Sequence, residues 1–167
     1  MKAAEERKAG YFYDWLGAIL LSALSIEALG NTYGETLIPE WKDFESASPI
    51  AKLRLVANKC GVSPNFGEHP WATARQLIRF RNRVAHAKPE QLKVEGHYTE
   101  TTYQQIFHAK PESTLEKMIT EEFAVQGYDA VEKIIEVLSK TIESSKLMEV
   151  QVDGWEGHAS VINDEQS

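Results

Sequence analysis

The sequence holds one cysteine, Cys60, among 167 residues. One thiol cannot close an internal disulfide, and it fits a reducing compartment. Cys60 precedes Gly61 and reads as a small buried residue at a helix end; nothing beside it would activate a thiolate. Paired metal-ligand spacing is also missing. The histidines His69, His86, His97, His108 and His158 do not recur at ligand intervals, and there is no Cys-x-x-Cys, which argues against zinc. His97 and His108 read as surface loop residues. Neither standard glycine-rich phosphate loop occurs, nor a Gly-x-Ser-x-Gly elbow, nor an internal repeat or low-complexity segment. A basic excess is lacking too: 18 Lys and Arg stand against 25 Asp and Glu, for a net charge of −7. That balance excludes a generic nucleic-acid-coating surface, so any phosphate contact must come from a local patch.

What is present suits one domain with a real core, since 43% of the residues are apolar. The charged start, Met1 to Arg7, has no signal-peptide shape. The apolar run Trp15 to Leu29 is interrupted by Glu27 and is shorter than the roughly 18–20 residues of a membrane span, so it reads as a buried core helix. A cytoplasmic protein without a membrane segment is expected.

Periodicity predicts an all-α fold, an up-and-down bundle of four to five helices over residues 1–148, with a polar, loose tail over 149–167. The first helix is expected from about Ala4 to about Leu29. Tyr13, Leu16, Leu20, Ala23 and Leu24 share its apolar arc, and Phe12, Ile19 and Ile26 widen it. Gly30-Asn31 and Tyr33-Gly34 should stop it. Trp41 and Phe44 should pin the loop that follows. Ser48-Pro49 opens a second helix, which runs to about Lys59 with Ile50, Leu53, Val56 and Ala57 inside. A third helix is expected from Pro70 to about Ala87, with Ala74, Leu77, Ile78, Val84 and Ala85 on its apolar arc. Residues 88–113 read as a short β-hairpin or an irregular flap. Ser113 and Glu116 form a capping box for a fourth segment carrying Leu115, Met118, Ile119 and Phe123. Gly127 should break it before a fifth helix over about Asp129–Lys146, with Val131, Ile134, Ile135, Leu138 and Ile142 inside.

The third helix carries the densest chemistry. Leu77 to His86 places three arginines, an asparagine and a histidine in ten residues, and no acidic residue occurs from His69 to Pro89. Arg75, Arg79, Asn82, Arg83 and His86 form a polar stripe, with Asn82 and His86 one turn apart. Arg81 instead falls within the apolar arc. Glu27 is the matching misfit on the first helix, with Asn31 on the same side. A charge in an apolar stripe is costly unless paired, and arginine favours a planar carboxylate partner, so Arg81 and Glu27 are expected to pair. Two readings of the stripe stay open at this point. It is either a solvated basic face, or a site at which histidine moves protons and arginine stabilises charge growing on a phosphate.

Arg81-Asn82-Arg83-Val84-Ala85-His86 resembles the signature of HEPN domains: an arginine, a polar residue, a short spacer and a histidine late in a core helix. Ser25-Ile26-Glu27-Ala28-Leu29-Gly30-Asn31 is similar to the Glu-x-x-x-Asn element of their early helix. The resemblance spans roughly residues 5–145 in architecture and is carried by these two short motifs. It implies a metal-independent endoribonuclease without a cofactor, acting as a homodimer whose motif helices form one cleft. It implies His86 as general base or acid, Arg81 as the phosphate-stabilising cation and Asn82 as the orienting group. Glu27 and Asn31 would support them, and Arg75, Arg79, Arg83 and Lys88 would attract RNA. Family roles include toxin–antitoxin pairs, defence and RNA processing, so an antitoxin or other protein partner is implied as well. Other members are non-catalytic dimeric modules that bind a protein or nucleotide. One tension remains: five residues span about 140° of an ideal helix, so Arg81 and His86 cannot both be central on one face. Arg81 then either projects at the rim of a dimer cleft, or is chiefly tied to Glu27 while Arg79 or Arg83 meets the phosphate.

Overall fold

The computed structural model describes residues 2–91 and 112–140. They form an all-α bundle: α1 (Lys2–Leu37), α2 (Pro49–Lys59), α3 (Trp71–Ala85) and α4 (Glu121–Ser139), with short 3-10 turns at Trp41–Phe44 and Glu116–Met118. No strand occurs among the described residues. The hairpin or flap expected after α3, the end of the last helix and the tail from residue 149 lie outside them.

Helix α1 is the element on which the others pack. It is longer than its glycines suggested, because neither Gly30 nor Gly34 ends it. Gly34 is there for close approach, since a Cβ on it would overlap the indole ring of Trp41, whereas a Cβ on Gly30 would make only ordinary contact with Lys52 and the Leu53 backbone. The helix stops after Leu37, where Ile38 still donates to the Gly34 carbonyl at 2.9 Å and Pro39 cannot continue the ladder. Gly34→Ala is therefore expected to cost about 1–3 kcal/mol by overpacking, read as a lower urea midpoint at unchanged slope. Trp41 is buried in this notch, with the Lys52 ammonium 5.7 Å from its ring centre, whereas Phe44 stays at the exposed rim.

The core face of α1 is made by Ile19, Ala23, Ile26 and Tyr33; the first three were expected there, with Phe12, Leu16 and Leu20 packed beside them, whereas Tyr13 and Leu24 of the expected arc are exposed. A helix with leucines on both sides has no single apolar face for periodicity to select. The stretch Gly10–Leu37, whose most apolar 18-residue window has a mean hydropathy of 1.4, is long and apolar enough by length and composition to cross a membrane, so the shortness expected of it does not hold. In this fold it is the helix against which α2, α3 and α4 pack.

Helix α2 starts and ends as expected. The Ser48 hydroxyl accepts from the Ala51 N–H at 3.3 Å, Pro49 is the first helical residue, and Leu53, Val56 and Ala57 are buried. Cys60 caps its end and Gly61 follows at φ +72°, a conformation that suits glycine. Helix α3 buries Ala74, Leu77, Ile78 and Phe80. Ala85, expected inside, is exposed because α3 ends there, past the edge of the packed layer. The Ser113–Glu116 box forms reciprocally, at 2.7 and 3.1 Å, yet it opens only a 3-10 turn. The capping residue of the last helix is Thr120, whose hydroxyl accepts from the Phe123 N–H at 3.2 Å. Gly127 does not break α4. It lies inside the helix where a Cβ would come within 3.1 Å of Leu77, so α3 packs closely at that point.

Candidate functional site

The expected pair of misfit charges is present. Arg81 Nη2 donates to Glu27 Oε2, joining α3 to α1. The same guanidinium donates through Nη1 to Asn82 Oδ1 at 2.9 Å. Its Nε is buried with no hydrogen-bond partner among the described residues. The pair is partly shielded, with 23% of the Arg81 side chain and 32% of the Glu27 side chain accessible. Arg81 is thus engaged on two sides by the fold, and Asn82 is turned toward it rather than toward His86.

Asn31 lies one turn beyond Glu27 on α1 but is joined to α2, its Oδ1 accepting from Lys52 Nζ at 2.9 Å. Its contact is therefore with the Lys52–Trp41 side of the bundle. Among the basic residues of the stripe, Arg75 is half-buried with a buried, unpartnered Nε, and Arg79 is exposed. Arg83 Nη1 lies 3.3 Å from the Met118 sulfur. Among the described residues, no carboxylate lies within 4.0 Å of Arg75, Arg79, Arg83 or Lys88.

His86 is the residue at which α3 ends. Its backbone N–H still reaches the Asn82 carbonyl at 2.9 Å, while φ −121° and ψ 39° turn the chain out of the helix. The side chain is exposed and lines an open cavity of about 600 Å³ with Arg83, Lys88, Glu90, Ser113 and Thr114. Glu90 is the acidic group in this lining, and Thr114 engages it through both its N–H, at 3.0 Å, and its hydroxyl. The hydroxyl bond and then the backbone bond hold the Glu90 carboxyl below its ordinary value, so it is ionised across the neutral range. Thr114 takes one acceptor position on each Glu90 oxygen, Lys117 and Arg83 act on the same charge through space, and Arg83 and Lys88 line the open space beside it. Because Glu90 and Thr114 are 24 residues apart, no local sequence signal could have found this clamp.

The structure therefore divides the predicted site. Arg81, Asn82 and Glu27 form one hydrogen-bonded unit between α3 and α1. His86, Arg83 and Lys88 line a cavity at the end of α3.

A second polar cluster joins the start of α3 to α4. His69 Nδ1 meets Thr73 Oγ1 at 3.1 Å and Nε2 meets Asp129 Oδ2 at 2.7 Å, while Lys133 contacts the same carboxylate at 2.9 Å. The hydrogen bond from Lys133, opposed by desolvation and aided by the Lys133 charge and more weakly by His69, holds Asp129 below its ordinary value. A hydroxyl–imidazole–carboxylate series resembles a nucleophilic relay, but Thr73 is buried, so no substrate carbonyl can approach its oxygen. The cluster acts as a staple between helices. Only its i,i+4 Asp129–Lys133 arm was readable from spacing.

Comparison with protein-family models, with curated proteins and with solved structures gives no match for this chain.

Proposed function

We propose that this protein is a metal-independent endoribonuclease of the HEPN type, working in the cytoplasm as a homodimer, in a toxin, defence or RNA-processing role. The observation that carries the reading is the exposed imidazole of His86 on an open cavity shared with Arg83 and Lys88, whose one acidic neighbour among the described residues, Glu90, is bonded by Thr114. In RNA cleavage the 2′-oxygen attacks phosphorus, the bond to the 5′-oxygen breaks, and a cyclic phosphate and a free 5′-hydroxyl result. One proton leaves the 2′-hydroxyl and one arrives at the 5′-oxygen. Histidine can serve either transfer near neutrality. Arg83 and Lys88 supply charge for the phosphate from the same cavity. Arg81 and Asn82, held by Glu27, support the reading as the rim of a cleft completed by a second subunit.

A specific observation also favours a second reading, a non-catalytic HEPN-like dimeric module that binds a protein or nucleotide. Arg81 is already occupied by Glu27 and Asn82, as a purely structural arginine would be. The test is incubation of the pure protein with mixed RNA in EDTA, followed by analysis of the new ends. Fragments ending in cyclic phosphate and 5′-hydroxyl are expected. RNA left intact across a broad panel of sequences would overturn the ribonuclease reading in favour of the module. Growth arrest on expression that depends on His86 would assign the toxin role, with an antitoxin as the protein partner.

A further inference from the structure

Beside the His86 cavity lies a smaller one that the proposed chemistry does not use. It is open, about 290 Å³ in volume, and sits where α3, the Glu116–Met118 turn and the start of α4 meet. Gln76, Lys117, Met118, Glu122, Phe123 and Gln126 line it. The 3.3 Å contact of Arg83 with Met118 stands between the two cavities, since Arg83 lines the first and Met118 the second. Gln76 precedes Arg83 by seven residues, so it shares that side of α3 about 10 Å along the axis, with exposed Arg79 between them.

The small cavity offers donors, acceptors and an apolar wall. Gln126 Nε2 donates to Glu122 Oε1 at 3.2 Å, one turn away on α4, and so steadies the carboxylate at the cavity edge. That bond uses one of the carboxylate's roughly four acceptor positions. Among the described residues no hydrogen bond engages the Gln76 carboxamide, and no carboxylate lies within 4.0 Å of the Lys117 ammonium, so both keep donors for a ligand. Phe123 is held edge-on by buried Phe80, ring centres 6.0 Å apart, and with Met118 it gives a flat ring an apolar surface to lie on.

We infer that this cavity is a base-recognition subsite for RNA and that the base it takes is guanine. A carboxylate is best satisfied by two neighbouring donors. Of the four RNA bases only guanine presents two side by side, its N1–H and its N2 amino group. Adenine and cytosine set a donor beside an acceptor, and uracil sets one N–H between two carbonyls. Guanine O6, next to the paired donors, is an acceptor for Gln76 or Lys117. Single-stranded RNA is read in this way, by bases splayed out, stacked and bonded on their Watson–Crick edges. A phosphate would be repelled by Glu122, so the base enters and the backbone is left to Arg79 and Arg83. An arginine side chain also carries paired donors, but Lys117, Arg79 and Arg83 would repel it. The inference rests on RNA as the ligand of the proposed function, not on the proton transfers assigned to His86.

The test is titration of the full chain with each of the four nucleoside 5′-monophosphates, which share one phosphate and differ in the base. Guanosine monophosphate is expected to bind about 10-fold or more tighter than the other three. Glu122→Gln keeps the size of the side chain but sets an amide donor against guanine's donors. The preference should pass to adenine, whose adjacent donor and acceptor match a carboxamide. Glu122 is exposed in the first turn of α4, so the melting temperature of the variant should stay near that of the wild type. No binding or equal binding of the four would overturn the inference. So would a guanine preference that survives Glu122→Gln, or saturation by arginine amide in place of guanosine monophosphate. Sequencing of RNA ends produced in EDTA reads the chemistry separately, with a guanine expected at a fixed distance from the cut. Cuts without such a guanine would remove the subsite and leave the nuclease. Selective guanosine monophosphate binding with intact RNA would support the subsite and remove the nuclease.

Discussion

Replacing Glu27 with glutamine is expected to lower the unfolding free energy by about 1–3 kcal/mol, although glutamine keeps the size of the side chain and one oxygen acceptor. The reason lies with the partner it leaves. Arg81 is three-quarters shielded and its Nε is already buried without a partner, so its positive charge depends on the Glu27 carboxylate. Removing one member of a fully buried pair costs about 3–5 kcal/mol, and the partial exposure of both residues here moves the expectation below that range. Arg81→Met should cost a similar amount, because Glu27 would then stand unpaired in a mainly apolar stripe. The double variant should be less destabilised than the sum of the two singles, by about 1 kcal/mol or more, since neither charge is then left alone. Urea unfolding of the four proteins measures this coupling. A Glu27→Gln protein within about 0.5 kcal/mol of the wild type would mean that the ion pair is a surface contact with no structural role.

That pair was the most legible long-range contact in the sequence, and the reason is energetic. Two charges of opposite sign on two apolar stripes are each too costly alone, so each predicts the other across 54 residues. The start of α2 was equally legible because Ser48 and Pro49 act locally, within their own turn. The end of α1 and the start of α4 were not. A glycine in a helix reads the same whether it stops the chain or makes room for a neighbour, and only the fold shows that Trp41 lies on Gly34 and Leu77 near Gly127. The inward face of α1 was legible only in part for a related reason: Ile19, Ala23 and Ile26 were expected inside and are buried, but on a helix that is apolar on both sides the pattern also took in Tyr13 and Leu24, which are exposed. In the candidate site, the Arg81–Glu27 contact could be read in advance, as could the end of α3, expected near Ala87 and found at Ala85. The separation of Arg81 from His86 was visible on the helical wheel as a conflict of angle. The bonds of Arg81 to Glu27 and Asn82 resolve it, whereas the Glu90–Thr114 contact beside His86 joins residues 24 apart and had no local signal.

Loss of His86 is expected to have the largest effect on activity of any single change: His86→Ala should reduce RNA cleavage by about 10²–10⁴-fold, the usual contribution of a general acid or base. The same substitution should leave stability within about 0.5 kcal/mol of the wild type, because the side chain is exposed and only the backbone N–H of His86 holds the end of the helix. That contrast separates chemistry from folding, and it is the reverse of the pattern expected for Glu27. Free imidazole should restore part of the cleavage to His86→Ala, since the vacated space opens directly on the 600 Å³ cavity and a diffusible base can enter it. Arg83→Ala provides the companion measurement. If Arg83 holds the phosphate in the cavity, its loss should raise KM and flatten the salt dependence of binding, and imidazole should do nothing for it. Full activity in His86→Ala would remove proton transfer from His86. Equal loss in both variants, with no rescue by imidazole in either, would make the cavity a binding surface and favour the non-catalytic module.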